Sequence, residues 1–158
     1  MKKITPFLWF DGRAEEAMEF YTSTFKDSKR GTVTRYTDAG PGEKGSVMSV
    51  TFELNGQEFY GLNGGPNFQF TPAISFFVEC DTQEEIDYYW DKLCEGGLPN
   101  QCGWLTDKFG LSWQIVPSIL WELLHGGDDA KAARVMRAVF SMIKLDIAGL
   151  QAAAAGVC

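Results

Sequence analysis

Residues 7–25, FLWFDGRAEEAMEFYTSTF, and residues 76–94, FFVECDTQEEIDYYWDKLC, read alike. An offset of 69 pairs Phe7 with Phe76, Glu15 with Glu84, Glu16 with Glu85, Phe20 with Tyr89 and Tyr21 with Trp90. Each segment is a short apolar strand, a turn containing Asp, and then an amphipathic helix. In the second, Ile86, Tyr89, Trp90 and Leu93 recur at helical spacing and predict one buried face. Asp81, with Glu84 three residues on, is the expected N-cap, and Gly96-Gly97 the expected stop. In the first, Ala14, Ala17, Met18, Tyr21 and Phe25 form the matching face.

Working outward, strand-like runs follow each helix. TVTRY, SVMSVTFEL and QEFYGLN follow the first, and Asn55-Gly56 between the last two is a hairpin signal. A short run near Gln101 to Thr106 and then LSWQIV follow the second. Setting Gly56 on Gly110 places Phe59 on Trp113 and Tyr60 on Gln114. The pattern is β-α-β-β-β twice, an α+β chain whose first half is longer, with the excess in its strands and in the loop DAGPGEKG. GGPNFQFTP, residues 64–72, links the halves. Its prolines and glycines prevent regular structure, and Phe68 and Phe70 predict that it folds back over other groups.

After Pro117, SILWELLH predicts a short helix stopped by Gly126-Gly127. Asp128 is expected to cap one long helix, DAKAARVMRAVFSMIKLDIAGLQ, with Val135, Met136, Val139, Ile143, Ile147 and Leu150 as its apolar stripe. The tail AAAAGVC is expected to fray. The expected organisation is a duplicated domain over 1–118, with modules at about 1–63 and 73–117. A helical extension over 119–158 packs on that domain or on a partner subunit.

Composition narrows the function. Apolar residues make up 45% of 158, which supports a packed core rather than disorder. The net charge of −7, with no run of Lys or Arg, argues against a nucleic-acid groove. No apolar run reaches the roughly 18 residues of a membrane span. The start MKKITPFLWF lacks a small-residue cleavage site and reads as that of a cytoplasmic protein. Cys80, Cys94, Cys102 and Cys158 have no CxxC spacing and only one histidine to join them, so free thiols are expected rather than a zinc site or disulfides.

The duplication, with ITPFLWFDGRAEEAMEFY, LNGGPNFQFTPAISFFVEC, CGWLTDKFGLSWQIVP and ARVMRAVFSMIKLDIAGL, resembles the vicinal oxygen chelate superfamily, the glyoxalase and bleomycin-resistance fold. Within it the chain looks most like the PhnB-like proteins, often labelled 3-demethylubiquinone-9 3-methyltransferase domain. The resemblance implies a glyoxalase-like pair of half-barrels and twofold dimers, and covers Ile4 to Leu150. It does not imply one activity, because the fold hosts lyases, dioxygenases, resistance proteins and binders. A methyltransferase of Rossmann type needs a glycine-rich strand-to-helix turn. Neither DAGPGEKG nor NGGP is followed by a helical pattern.

In metal-using relatives the ligands come from the first and last strand of each module. The corresponding positions here are Pro6, Tyr60, Ser75 and Gln114. Divalent metals take imidazole, carboxylate or thiolate, so no metal and no cofactor is expected. His125, before Gly126-Gly127, reads as a helix cap. Cys102 reads as a small buried residue, since no group in the sequence lowers its pKa, although Lys108 could approach it. The expected ligand pocket comprises Trp9, Tyr60, Asn63, Phe68, Ser75, Cys102, Trp104 and Gln114, flat apolar walls with a few neutral polar groups. Trp9 and Trp104 fit core packing equally well. The first reading of function is therefore a metal-free binder of a small organic molecule, acting as a homodimer. One alternative is a superfamily enzyme, a lyase, isomerase or dioxygenase, using Glu58, Glu79 or Cys102 as its base. The other is a dimerising interaction module whose helical tail is the working part.

Overall fold

The computed structural model describes residues 3–157. Met1, Lys2 and the fourth cysteine, Cys158, lie outside them. The chain divides into two compact units, one ending at Phe70 and the other beginning at Thr71.

The first unit runs β1 (Phe7–Phe10), α1 (Ala14–Thr24), β2 (Ser28–Arg35), β3 (Val47–Leu54) and β4 (Gln57–Asn63). Its sheet has the order β1-β4-β3-β2, with β1 parallel to β4 and the other pairs antiparallel. Asn55 and Gly56 both have positive φ, 47° and 81°, which is the backbone of a tight hairpin turn between β3 and β4. The expected face of α1 is buried, Ala14, Ala17, Met18 and Tyr21 together with Phe25 beyond its end. It lies on the sheet face of Leu8, Phe10, Val50, Phe52 and Phe59. Gly61 allows this close approach, because a Cβ there would stand 2.9 Å from Val50 Cγ2 and 3.6 Å from Ala14 Cβ.

The second unit repeats that plan. β5 (Ser75–Cys80), α2 (Gln83–Cys94), β6 (Leu98–Pro99), β7 (Trp104–Thr106) and β8 (Ser112–Pro117) form a sheet of order β5-β8-β7-β6, again with the first and last strands parallel. The two modules are therefore βαβββ duplicates, and the fold is α+β with added C-terminal helices. The capping group of α2 is Thr82 rather than Asp81. Its side chain accepts from Glu85 N, while Glu85 Oε2 accepts from Asp81 N, the amide before the cap, so the capping pair lies one residue later than its sequence pattern suggests.

Three short helices follow: α3 (Ile119–Leu124), α4 (Asp129–Ser141) and α5 (Ile147–Ala155). The single long helix expected from Asp128 is thus broken, and the tail expected to fray is helical to Ala155. Asp128 does cap α4, accepting from Lys131 N, but Asp146 caps a new helix by accepting from Gly149 N. The connector is held instead by its own partners. Met142 O and Ile143 O accept from Cys102 N and Gly103 N, and the Gln83 side chain donates to Leu145 O and accepts from Ile147 N. Val116, Leu120, Val135, Val139, Leu145 and Leu150 form one buried cluster, so the extension packs within its own unit.

Candidate functional site

Strand alternation gives each sheet two faces. On the first, Phe7 and Trp9 of β1 stand beside Tyr60 and Leu62 of β4, on the face opposite α1. The Phe7 and Tyr60 rings stack at 5.7 Å. Trp9 donates its indole N–H to Gly65 O at 2.9 Å, and Phe68 meets it edge-on at 4.9 Å. The 64–72 loop therefore folds back over Trp9, and Gly64 is small because a Cβ there would run into the indole. Asn63 lies on the other face. Its Oδ1 accepts from Ala14 N, the first amide of α1, and its Nδ2 donates to Val47 O. That side chain replaces the missing N-cap, since Arg13 makes no cap bond. Asn63 also borders a cleft of about 600 Å³ at the start of α1, with Asp11, Glu15, Glu16 and Tyr36. No sequence pattern marks that cleft, because Tyr36 joins it by donating its hydroxyl to Asn63 O across 27 residues.

On the second sheet, Ser75, Phe77 and Glu79 of β5 share with Gln114 of β8 and Trp104 of β7 the face opposite α2. Trp104 and Gln114 are direct cross-strand partners. Gln114 Nε2 donates to Ser75 Oγ at 3.0 Å. The other Gln114 amide atom, the Trp104 indole N–H and the Tyr60 hydroxyl of the first sheet have no protein partner among the described residues. No buried side-chain N or O among them lacks one, so these groups stand where solvent or a ligand can reach. Cys102 is not on this face. It takes a left-handed φ of 61° in the turn before Gly103, and its side chain packs on the C-terminal helical cluster. Lys108 lies over the Phe109 ring.

The four positions that the resemblance assigns to metal ligands hold Pro6 and Tyr60 on one sheet and Ser75 and Gln114 on the other. Proline offers no side-chain donor, and the Gln114 amide nitrogen is engaged with Ser75. This set does not fit a divalent metal. Among the described residues, no three His, Cys, Asp or Glu side chains gather as ligands elsewhere. Of the three candidate bases, Cys102 packs on the helical cluster and the two glutamates are engaged. Glu58 pairs with Lys3 at 3.7 Å, and Glu79 Oε2 accepts from the Trp121 indole at 3.2 Å. Burial, helped by Glu85, Asp81 and Glu79, pushes the Cys80 thiol up to about 12, so it stays protonated and unreactive at neutral pH. His125 ends α3 as expected, with Nδ1 3.0 Å from Trp121 O.

Trp121 was not among the sequence candidates. SILWELLH carries no periodic cue that one tryptophan returns to the sheet, and only the turn at Ser118, whose amide donates to Cys80 O, brings it back.

No curated protein matches the chain. Among solved structures it is similar to the PhnB protein from Bacillus cereus, which carries the name 3-demethylubiquinone-9 3-methyltransferase. That match has 46% identity and a TM-score of 0.68, over 74% of this chain and 100% of the other. Protein PA1353 from Pseudomonas aeruginosa is similar at 19% identity and TM-score 0.57, over 74% of this chain and 98% of its own. The fosfomycin resistance protein FosX from Listeria monocytogenes, complexed with Mn(II) and sulfate, shares the fold at 13% identity and TM-score 0.54, over 72% of this chain and 89% of that one. The family model described as 3-demethylubiquinone-9 3-methyltransferase matches residues 2–116. With the duplicated βαβββ topology, these matches establish that the chain belongs to that family, the PhnB-like group of the glyoxalase-like fold.

Proposed function

We propose that the chain is a metal-free binding protein for a small organic molecule, and that it works as a homodimer. The observation that carries the binding reading is the pairing of Trp104 with Gln114. A free indole N–H and a free amide oxygen sit side by side on the sheet face opposite α2, with Phe77 along the same face. That is one donor and one acceptor on an aromatic wall, the composition of a site for a neutral polar group on a flat molecule. The metal-free reading is supported by the donor set Pro6, Tyr60, Ser75 and Gln114. Methyl transfer in the Rossmann manner finds no support. DAGPGEKG leads into β3 and NGGP into an irregular loop, so neither glycine cluster opens a helix. The three free cysteines among the described residues suit a reducing cytoplasm, and among those residues no helix is long and apolar enough to cross a membrane.

The test joins native mass spectrometry and elemental analysis of freshly purified protein to titration with flat aromatic ligands. A ligand bound through the pair should lose about tenfold in affinity in Gln114→Leu, the removal of one hydrogen bond of about 1–1.5 kcal/mol. Trp104→Phe should remove most of the fluorescence response. One equivalent of tightly held Mn, Fe, Ni or Zn per chain would sink the metal-free reading. Unchanged affinity in both variants would sink the assignment of the pair.

A further inference from the structure

Beyond the Trp104–Gln114 pair, the same face of the second unit continues through Phe77 into a row of aromatic side chains. Phe77 and Trp121 lie 6.1 Å apart at 30°, and Trp121 and His125 stack at 5.9 Å and 23°. Both large rings are open to solvent, Phe77 at 45% and Trp121 at 46%. Exposed Trp and Phe side by side are not what a solvated face needs. The row is also held in place. Glu79 shares a face of β5 with Phe77, and its Oε2 takes the Trp121 indole N–H at 3.2 Å, which fixes the indole against the sheet. The other carboxylate oxygen has no protein partner among the described residues. A negative charge therefore stands at the edge of an exposed aromatic surface.

These features select a ligand by charge. Aromatic faces attract cations through their quadrupole, the indole most strongly. A carboxylate at the same edge adds attraction for a cation and repels an anion. A neutral ring would gain the stacking alone. The chain's net charge of −7 raises the local concentration of cations in the same direction. We infer that Phe77, Trp121 and Glu79, backed by His125, bind a flat organic cation such as an N-alkylated aromatic ring. This deepens the binding reading above and rests on it, since Phe77 belongs to the same sheet face as Gln114 and Trp104.

The experiment compares N-methylquinolinium with neutral quinoline in mildly alkaline buffer, followed by calorimetry and by the indole N–H signals of the assigned protein. The cation should shift the Trp121 indole signal and bind at least about fivefold more tightly than quinoline, the ratio that a cation–π and carboxylate contribution of about 1 kcal/mol gives. Glu79→Gln, which removes only the carboxylate share of that ratio, should weaken the cation about two- to threefold and leave quinoline unchanged. Trp121→Leu should abolish saturable cation binding while circular dichroism stays that of the native protein. Equal affinity for the two probes, or a Glu79→Gln protein that binds the cation as before, overturns the inference. If quinoline moves the Trp104 signal while the cation leaves Trp121 unmoved, the cation site falls and the binding reading stands. If neither probe moves any indole signal, both fall. A Trp121 signal that shifts on dilution without ligand assigns the patch to a second copy of the chain and likewise overturns the inference.

Discussion

At the scale of single residues, the most consequential polar group in the second unit is one that a reading for function passes over. Asp107 is buried, and its carboxylate accepts three hydrogen bonds, from Phe109 N, Leu111 N and the Trp113 indole. It shapes the turn Asp107–Gly110 and so sets where β8 begins. That start fixes the alternation by which Trp113 points toward α2 and Gln114 away from it. Asp107→Ala leaves three donors short of their acceptor, two of them in buried surroundings. Each such orphan costs about 1–3 kcal/mol, and relaxation recovers part of the sum. We expect a loss of about 3 kcal/mol in urea unfolding, against under about 1 kcal/mol for Ser75→Ala, whose hydroxyl serves one half-exposed amide. A loss at Asp107 as small as that at Ser75 would show that the turn forms without it. Tyr60 and Gln114 were legible in the sequence because a two-residue period counted from a turn glycine needs no tertiary knowledge. Asn63 was expected in the pocket, and its place as the cap of α1 was not legible, because its partner Ala14 lies 49 residues away. Trp121 was not legible at all.

Among the elements, those with repeated pattern or clear stops could be read, including the short β1 and α3, whereas β6 and the break between α4 and α5 could not. Both module helices and the β3–β4 hairpin carry several periods of pattern. β6 has two residues and β7 three, too few for any alternation to show, and the expected run near Gln101 to Thr106 is in fact a turn followed by β7. The break between α4 and α5 had a sequence signal, Asp146 three residues before Gly149, but a continuous apolar stripe outweighed it. The stripe is buried only in part: Val135, Val139 and Leu150 join the cluster, Ile143 is exposed, and Leu145, outside the expected stripe, takes the place in the core. Besides its backbone and Gln83 bonds, an ion pair and a buried side chain anchor the connector, and their magnitudes differ. The Lys144–Asp87 pair is 2.8 Å long, but both side chains are more than a third exposed. An exposed pair contributes about 0–1 kcal/mol. Leu145, fully buried, should cost about 2–5 kcal/mol when cut to alanine. Leu145→Ala should therefore destabilise several times more than Asp87→Asn. The ion pair has a distinct signature in pH. Hydrogen bonds from Lys144 and Gln83 hold the Asp87 carboxyl below the usual carboxylate range. Its contribution is present above the unfolded value, about 3.9, and is lost as pH falls through the lower folded one. Asp87→Asn should remove that part of the acid-side fall in stability, by under about 1 kcal/mol. An unchanged acid limb would show that the pair contributes nothing.

For the whole molecule, duplication was the strongest signal in the sequence, because two copies of one pattern test each other. Assembly was the weakest, because a helix buries and exposes residues at the same period. On α4 and the connector after it the two outcomes separate only in three dimensions. Val135 and Val139 are in the core, whereas Phe140 and Ile143 are 64% and 56% exposed. An acidic pair at Val139 and Ile143 would thus put a charge into the helical cluster and unfold the second unit whatever the assembly. The informative pair is Phe140 and Ile143, which can be changed without touching the core. We propose that the homodimer uses this outer row. It is short, and two side chains of this kind give about 1.5–3 kcal/mol each when fully removed from water. That is enough to decide a dimer only if the row meets its own copy across a twofold axis, where every contact occurs twice. Phe140→Asp with Ile143→Asp should then give a folded monomer with native circular dichroism and a sedimentation coefficient that no longer changes with concentration. A double variant that sediments as the same dimer as the parent chain would move the interface away from α4. A parent chain that is monomeric at micromolar concentration would remove the dimer itself.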